Sequence, residues 1–409
     1  MIQVLKGMKD IYFKDIEKFE YIVDTAKKVF SKYGYERIIT PNVEELDLFK
    51  RSVGDETDVV SKEMYDFEDK GGRHIALRPE GTAGVVRAYL ESKLYKSNPN
   101  IKWYYYGPMY RYEAPQKGRY REFNQVGIEC FGTRNPMQDA QIISMACEFL
   151  EKLGISDLVV ELNSLGNTES RAKYLEVLKK YLIDNYDKLS ENSKIRCYKN
   201  PLRVLDSKED SEIVENAPKL HDYFDCESKE FFEKLCYYLE KFNVNYVIND
   251  KLVRGLDYYS DTVFEIKSSK LGAQSTVLGG GRYDKLTQIL SNTLTPAIGF
   301  AAGIERISLL LDENLLPNKK ELVYIVYFEE TKENLFKILD VLRKNDVYVE
   351  YEYEIKSFNS QMKKANKLGA NKVIILGTEE IKNNQVSIKN YITGEQKIVN
   401  IENIAEEIK

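Results

Sequence analysis

Residues 110–132, YRYEAPQKGRYREFNQVGIECFG, concentrate groups suited to a phosphorylated ligand. Read as a strand, a loop and a returning strand, they put Lys117, Gly118, Arg119 and Arg121 at or beside a hairpin tip, where a basic loop can close over phosphates. Arg111 stands at the end of the first strand. On the second strand, period-2 alternation sends Phe123, Gln125, Gly127 and Glu129 to one face. A glutamine and a glutamate flanking a glycine make a polar floor with room for a ligand. Taken alone, the same pattern also suits the solvent-exposed face of an antiparallel sheet.

Four further segments carry candidate chemistry. Residues 78–82, RPEGT, form a turn into a helix with Thr82 as N-cap and Glu80 just before it. Glu80 and the Thr82 hydroxyl can hold an ammonium group, or simply cap the helix. In LVRGLDYYSDTVFEI (252–266), Arg254 beside Gly255 can reach a phosphate, and Tyr258 and Tyr259 can bond a polar ring. The alternative pairs Arg254 with Asp257 and leaves the tyrosines in the core. The run Gly279-Gly280-Gly281 before Arg282-Tyr283-Asp284 permits close approach of a planar ligand, although it fits no phosphate-loop pattern. Residues 297–306, AIGFAAGIER, offer small side chains against which a flat base can lie, followed by Arg306 in the first helical turn; tight helix-on-sheet packing is the other reading. The only histidines are His74 and His221, so no Ser/His/Asp or Cys/His nucleophile set exists, and a reaction driven by positioning and charge stabilisation fits best.

The elements that must hold these residues are legible in outline. Ile16, Phe19, Ile22, Val23, Ala26, Val29 and Phe30 recur at helical spacing up to Lys32-Tyr33-Gly34, and a strand with Pro41 at its end follows. Residues 73–77, 102–111 and 122–131 read as strands and 81–94 as a helix, which together predict an α+β fold with an antiparallel sheet. From 167 to 242 the texture is Lys, Glu, Tyr and Leu at helical spacing, a helical insertion, after which strands resume at 244–266 and 276–281 and a helix runs over 303–312. A polar linker, LPNKK (316–320), leads to βαβα alternation over 321–409, a small α/β domain.

At 409 residues the chain is long enough for two or three domains. A net charge of -5 supplies no whole-chain attraction for nucleic acid or anionic membrane, so any RNA contact must be local. Of the 16 arginines, seven fall between Arg73 and Arg134, against 44 lysines spread along the chain; the planar guanidinium fork suits an anion site. Cys130, Cys147, Cys197, Cys226 and Cys236 are well separated, with no spacing for zinc or a disulfide framework. No stretch reads as a signal peptide or membrane span, and a cytoplasmic protein is expected.

Taken together and in this order, the segments resemble a class II aminoacyl-tRNA synthetase and, within that class, the histidyl-tRNA synthetase family, over nearly the whole chain. The strand with Pro41 is similar to motif 1, residues 110–132 to motif 2 and 297–306 to motif 3. LVRGLDYY (252–259) and LGGGRYD (278–284) look like the two signature peptides of the histidine enzymes. The resemblance implies a catalytic domain over 1–166 and 243–316, an insertion domain over 167–242 and an anticodon-binding domain over 321–409. It implies activation of L-histidine by ATP, with Mg2+ accompanying the nucleotide and no tightly bound metal, then transfer of histidine to the 3′ end of tRNA(His) by a homodimer. Carried over, Glu80, Gly81, Thr82 and Gln125 hold the α-amino end of histidine. Glu129 and Tyr259 bond the two imidazole nitrogens, while Tyr258 and Tyr283 shape the pocket. An analogue lacking the ring nitrogens then forfeits about 1–3 kcal/mol per buried group left unsatisfied. Arg111 and Arg254 are the catalytic pair at the α-phosphate, Arg254 standing where other class II enzymes place a metal. Arg119, Arg121 and Arg306 belong to the ATP site, and Gln116 and Lys117 to the tRNA acceptor end. Many members read ERPQ where this chain has Glu113-Ala114-Pro115-Gln116, so one acceptor-gripping arginine is replaced by Ala114.

Three rivals share parts of this pattern. A histidine-sensing regulatory paralogue of ATP phosphoribosyltransferase usually lacks the terminal domain and the phosphate arginines, both retained here. A class II enzyme charging glycine, threonine or proline has no reason to carry the two signature peptides, and an RNA-binding or polymerase-accessory module has none to keep an imidazole-shaped pocket.

Overall fold

The computed structural model describes residues 2–54, 57–256, 258–272, 275–317 and 321–408. Two compact units divide the chain, Met1–Leu316 and Pro317–Lys409. In the first unit, strands β1 (Glu36–Arg37), β2 (Val43–Glu45), β3 (Tyr65–Glu68), β4 (His74–Leu77), β5 (Lys102–Tyr110), β6 (Glu122–Phe131), β7 (Leu158–Ser164), β8 (Tyr246–Ile248), β9 (Ser260–Ser268), β10 (Thr276–Arg282) and β11 (Ala297–Gly303) build two sheets. The larger has the order β1-β5-β6-β11-β10-β9-β7-β8. Its pairings from β5 to β7 are antiparallel, and the outermost, β1 on β5 and β8 on β7, are parallel. Strands β2, β4 and β3 form a small separate sheet, so the predicted strand at 73–77 lies outside the main one. The predicted strand after Gly34 shrinks to two paired residues, and the helix predicted over 303–312 to Ile304–Ser308.

Strand alternation divides the large sheet into a dry face and an open one. Helix Lys14–Lys32 buries Ile22, Val23, Ala26, Val29 and Phe30, and stops at Gly34, whose φ of +81° suits glycine. With helices Pro136–Lys152 and Cys226–Lys241 it covers one face, where Phe30, Phe149 and Leu235 join the same cluster as Val126, Ile128, Phe264 and Phe300. Each such side chain contributes about 1.5–3 kcal/mol of apolar burial. The opposite face carries the polar residues of β6.

Between β7 and β8 the chain is a run of α- and 3-10 helices joined by short turns, as predicted for 167–242. Asp210 stitches this segment by accepting from Ser190 N at 2.6 Å, Ser190 Oγ at 2.8 Å and the Ser193 and Ser207 hydroxyls at 2.6 and 2.5 Å. Its first helix, Thr168–Asp184, packs Tyr174, Leu178 and Leu182 in one cluster with Tyr258 and Tyr259. Its last, Cys226–Lys241, instead sends Phe232, Leu235 and Leu239 into the core behind the sheet.

The second unit is the α/β domain predicted from the alternation after residue 320. Strands β12 (Leu322–Val326), β13 (Tyr348–Tyr351), β14 (Lys372–Ile375), β15 (Gln385–Asn390) and β16 (Gln396–Asn400) take the order β13-β12-β14-β15-β16, parallel in the first three and antiparallel in the hairpin. Residues Asn318, Lys319 and Lys320 of the predicted linker lie outside the described residues.

Candidate active site

Antiparallel register sets the floor of the site. Cross-strand pairing puts Tyr105, Gly127, Ala301, Gly279 and Glu265 in one row, and Glu129, Gly299 and Gly281 in the next. The glycines make room for the protein's own side chains, where the sequence suggested space for a flat ligand. A Cβ on Gly127 would stand 2.6 Å from the Tyr105 ring, and one on Gly279 would stand 2.5 Å from the Arg254 guanidinium carbon. A Cβ on Gly299 would collide with the Glu129 carboxylate, 2.8 Å from its carbon. Ala301 and Gly303 are left to floor an open cleft of about 620 Å³.

Glu129 is buried, 1% exposed. Its Oε1 accepts from the Thr82 hydroxyl at 2.7 Å and the Tyr105 hydroxyl at 3.3 Å, and its Oε2 accepts from Tyr283. Burial pushes its carboxyl up to about 8, against the pull of the Tyr283 and Thr82 hydroxyls. Tyr258 and Tyr259 are buried beside it, with ring centroids 4.7 Å apart and Tyr258 5.6 Å from Tyr283. A cluster of one carboxylate and several hydroxyls has the donors and acceptors that a small ring with an N–H and a ring nitrogen requires.

Glu80 and Thr82 arrive from the turn before helix Thr82–Glu91, and their roles are the reverse of those expected. The N-cap is Gly81, and Thr82 caps nothing, because its hydroxyl is committed to Glu129. Glu80 does the capping, taking Thr82 N at 2.6 Å and Ala83 N at 2.8 Å. Burial raises its carboxyl while those N–H groups pull it down. Gln125 lines the cleft, its Oε1 buried without a hydrogen-bond partner among the described residues. Native folds seldom leave such an oxygen unpaired, so Gln125 has acceptor capacity to offer a ligand.

The cationic end of the cleft is lined by Arg111, Arg119, Arg254 and Arg306. Arg111 donates to Pro79 O at 2.9 Å and pairs with Glu113 at 3.7 Å. Asp257, the sequence-based partner for Arg254, lies outside the described residues, and Arg254 pairs with Glu265 on β9. That carboxylate holds the guanidinium well up in its charged form against the cost of burial. Arg254 Nε, like Gln125 Oε1, is buried without a hydrogen-bond partner among the described residues. Glu265 also accepts from Thr276 Oγ1 at 2.6 Å, and Arg306 donates to Thr276 O at 2.5 Å, so one short stretch of β9 and β10 anchors two arginines. Burial and the neighbouring Arg119 guanidinium both press the Arg306 proton affinity down, so an anion placed between the two guanidiniums would relieve their repulsion.

The loop between β5 and β6 is a tight hairpin closed by Gln116 and Arg119, with Gly118 at φ +76° and Gln116 and Lys117 exposed at its tip. Arg119 reaches Glu113 at 3.4 Å. Arg121 does not line the cleft; its guanidinium stacks 3.6 Å from the Tyr112 ring centroid. Arg282 lies apart as a fully buried strut, paired with Asp139 at 2.7 Å and Asp284 at 3.0 Å. Tyr105, Glu265 and Thr276 join the site without a local sequence signal, since only strand register brings them there.

Comparison with known proteins completes the description. The family model for histidyl-tRNA synthetase matches residues 7–307, and that for the anticodon binding domain matches residues 321–409. Over its full length the chain is 44% identical to the histidine–tRNA ligase of Halothermothrix orenii, covering 99% of that protein. It is 46% identical to that of Aquifex aeolicus, with 98% of this chain and 99% of that protein covered. Apo Staphylococcus aureus histidyl-tRNA synthetase shares the structure with a TM-score of 0.84 at 35% identity, all of both chains being covered. The fold alone, at 20% identity and a TM-score of 0.66, is shared with an ATP phosphoribosyltransferase regulatory subunit/histidyl-tRNA synthetase of Bacillus halodurans, over 89% of this chain and 96% of that one.

Proposed function

The chain belongs to the histidyl-tRNA synthetase family, and we propose on that footing that the cleft of its large sheet is where histidine meets ATP. It is a class II aminoacyl-tRNA synthetase with histidine–tRNA ligase activity. A histidine carboxylate oxygen attacks the α-phosphorus of ATP, pyrophosphate leaves, and histidyl-adenylate forms. A terminal ribose hydroxyl of tRNA(His) then attacks the acyl carbon and AMP leaves.

In this reading Glu129 accepts the imidazole N–H, Tyr259 bonds the other ring nitrogen, and Tyr258 and Tyr283 wall the ring. Glu80, Gly81, Thr82 and Gln125 serve the α-amino end. The orphaned Gln125 oxygen supports that role, whereas Glu80 acts there with its helix-capping bonds already made. Arg111 and Arg254 neutralise the charge that builds at the α-phosphate during in-line attack, which requires donors fixed before the reaction; the orphaned Arg254 Nε faces that task. Arg306 and Arg119 hold the outer phosphates. Arg121, stacked on Tyr112, steadies the loop stem, and Gln116 and Lys117 at the exposed tip meet the acceptor end of the tRNA. Mg2+ would come with the triphosphate, because hard cations share phosphate oxygens readily and three of the cleft carboxylates are engaged, Glu113 by Arg111 and Arg119, Glu265 by Arg254 and Glu305 by Asn124.

The observation that carries the reading is a buried carboxylate ringed by hydroxyls on the same face of its strand as Gln125, which lines a cleft shared with four arginines. A histidine-sensing regulator has no use for those arginines. Homodimerisation is supported by exposed apolar residues at the amino-terminal arm and motif 1, namely Ile2, Val4, Leu5, Ile39 and Val43, and sedimentation velocity tests it. No described helix is long and apolar enough to cross a membrane; a cytoplasmic site of action is the reading for such an enzyme. Amino-acid-dependent ATP–pyrophosphate exchange without tRNA, across all amino acids, tests the whole assignment. Exchange with histidine alone is expected. Exchange with another amino acid, or none from folded protein, overturns it.

A further inference from the structure

The segment that supplies two walls of the histidine pocket, residues 258–261, is held from outside the sheet. Arg171, on the first helix of the insertion, donates from Nη1 to the backbone carbonyl of Tyr259 at 2.8 Å. Two residues on, Asp261 sits at φ +45°, a left-handed conformation that a non-glycine residue keeps only under constraint. Its backbone pairs with the point where the chain leaves the sheet, Leu165 N reaching Asp261 O at 2.7 Å and Asp261 N reaching Gly166 O at 3.2 Å. Its carboxylate takes Arg134 at 3.3 Å, and the same guanidinium reaches Glu227 at 2.6 Å and lies 4.7 Å over Phe231. Glu227 and Phe231 belong to the helix by which the insertion returns.

The two ends of the insertion are also sewn to each other. Asn167 Nδ2 donates to Asp225 Oδ2 at 2.6 Å, Asn167 N to Ser228 Oγ at 3.1 Å, and Asp225 N to Ser170 Oγ at 2.9 Å. The root of the insertion is therefore one stiff unit, and that unit grips the pocket backbone at Tyr259 through Arg171 and at Asp261 through Arg134. A guanidinium suits the first contact because a charged donor on a carbonyl is stronger than a neutral one and its plane fixes direction as well as distance.

We propose that Arg171 is a positioning residue for histidine selection: through the Tyr259 carbonyl, the root of the insertion sets the Tyr258–Tyr259 wall of the amino-acid pocket. Arg171 touches no substrate in this account. It acts on the backbone of Tyr259; at the nucleotide end Arg254 lies 5.9 Å over the Tyr259 ring but is held by Glu265 on β9, and Arg111 and Arg306 stand on other elements. The inference rests on the assignment of this pocket to histidine.

Steady-state ATP–pyrophosphate exchange with the full chain tests it, comparing wild type, Arg171→Ala and Arg171→Lys. Arg171→Ala is expected to raise KM for histidine about tenfold, the scale of one charged hydrogen bond, with KM for ATP and kcat within about twofold. Arg171→Lys, which keeps a charged donor but not the fork, should recover part of that loss. An unchanged KM for histidine overturns the proposal. So does a parallel loss in all three constants that lysine does not relieve, since a purely structural role gives that pattern. If Arg171→Ala fails to fold, the lysine variant and Arg171→Gln carry the same comparison. Wild-type protein that exchanges with no histidine would sink the pocket assignment instead, so the two failures are distinguishable.

Discussion

Glu129→Gln changes almost no volume, yet it removes a charge and an acceptor from a fully enclosed position. Oε1 of Glu129 serves Thr82 and Tyr105, and Oε2 serves Tyr283 and is proposed to take the imidazole N–H. A glutamine has one acceptor oxygen. If that oxygen keeps Thr82 and Tyr105, its NH2 faces Tyr283, whose hydroxyl can turn and accept, and the ligand N–H, which cannot. The loss is a charge-assisted hydrogen bond of about 1.5–3 kcal/mol plus a buried unsatisfied donor at about 1–3 kcal/mol. The wild type gives part of this back. Its carboxyl, pushed up to about 8 by burial, is mostly protonated in the empty pocket at neutral pH, and ionising it to receive the ring costs about 1.4 kcal/mol. The net penalty is about 1–4.5 kcal/mol, a rise of roughly 5- to 2000-fold in KM for histidine. Because the ionisation cost fades as pH climbs past about 8, the gap between wild type and variant should widen toward alkaline pH. Histidine binding to wild type near neutral pH should likewise release a proton. Exchange kinetics at several pH values, with calorimetry in buffers of different ionisation heat, read both effects. A KM for histidine within threefold of wild type, from a folded variant, would refute the reasoning.

Arg254→Ala should abolish adenylate formation in the exchange assay while leaving histidine binding and the unfolding midpoint nearly intact; normal exchange would remove Arg254 from the reaction. Gly279→Ala should act through the same arginine, because the new methyl occupies the space of its guanidinium. A loss of about 10²-fold in kcat with unchanged thermal stability is expected, on the scale of displacing one preorganised charge donor. Asp210→Asn should weaken the insertion and flatten its acid limb. Burial opposes ionisation there, but the serine hydroxyls and Ser190 N–H win and lower the carboxyl to about 2. Since the folded value is depressed, the stabilisation is complete above about pH 4 and lost as pH falls through about 2, which urea denaturation at stepped pH values will track.

What the sequence disclosed follows the range of the forces involved. The period-2 pattern over 122–131 put Gln125 and Glu129 on one face, and the sheet keeps them there, because side-chain alternation is a property of one strand. The terminal α/β unit was equally legible, each element announcing itself within about ten residues. Register between strands was not legible. Nothing local says that Tyr105 stands opposite Gly127 and fills the room above it, or that Glu265 lies across from Gly279 and meets Arg254. Strand β7 joins the sheet on a pairing with β9 about a hundred residues later, and its own sequence gives no hint of that partner. The cap at Thr82 was misassigned for a related reason: hydroxyl and carboxylate can each cap a helix, and only the position of Glu129 on another strand decides which is free to do so.

The clasp between Asn167 and Asp225 bears on how such a chain could have been assembled. An excursion of nearly sixty residues departs from and returns to one spot, so the sheet's connectivity from β7 onward does not depend on what lies in between. Joining Gly166 to Asp225 through a short turn would leave strand order, helix Cys226–Lys241 and the pocket strands threaded as they are. The module can thus be lengthened, shortened or exchanged without rewiring the catalytic sheet, provided the newcomer still presents a donor to the Tyr259 carbonyl.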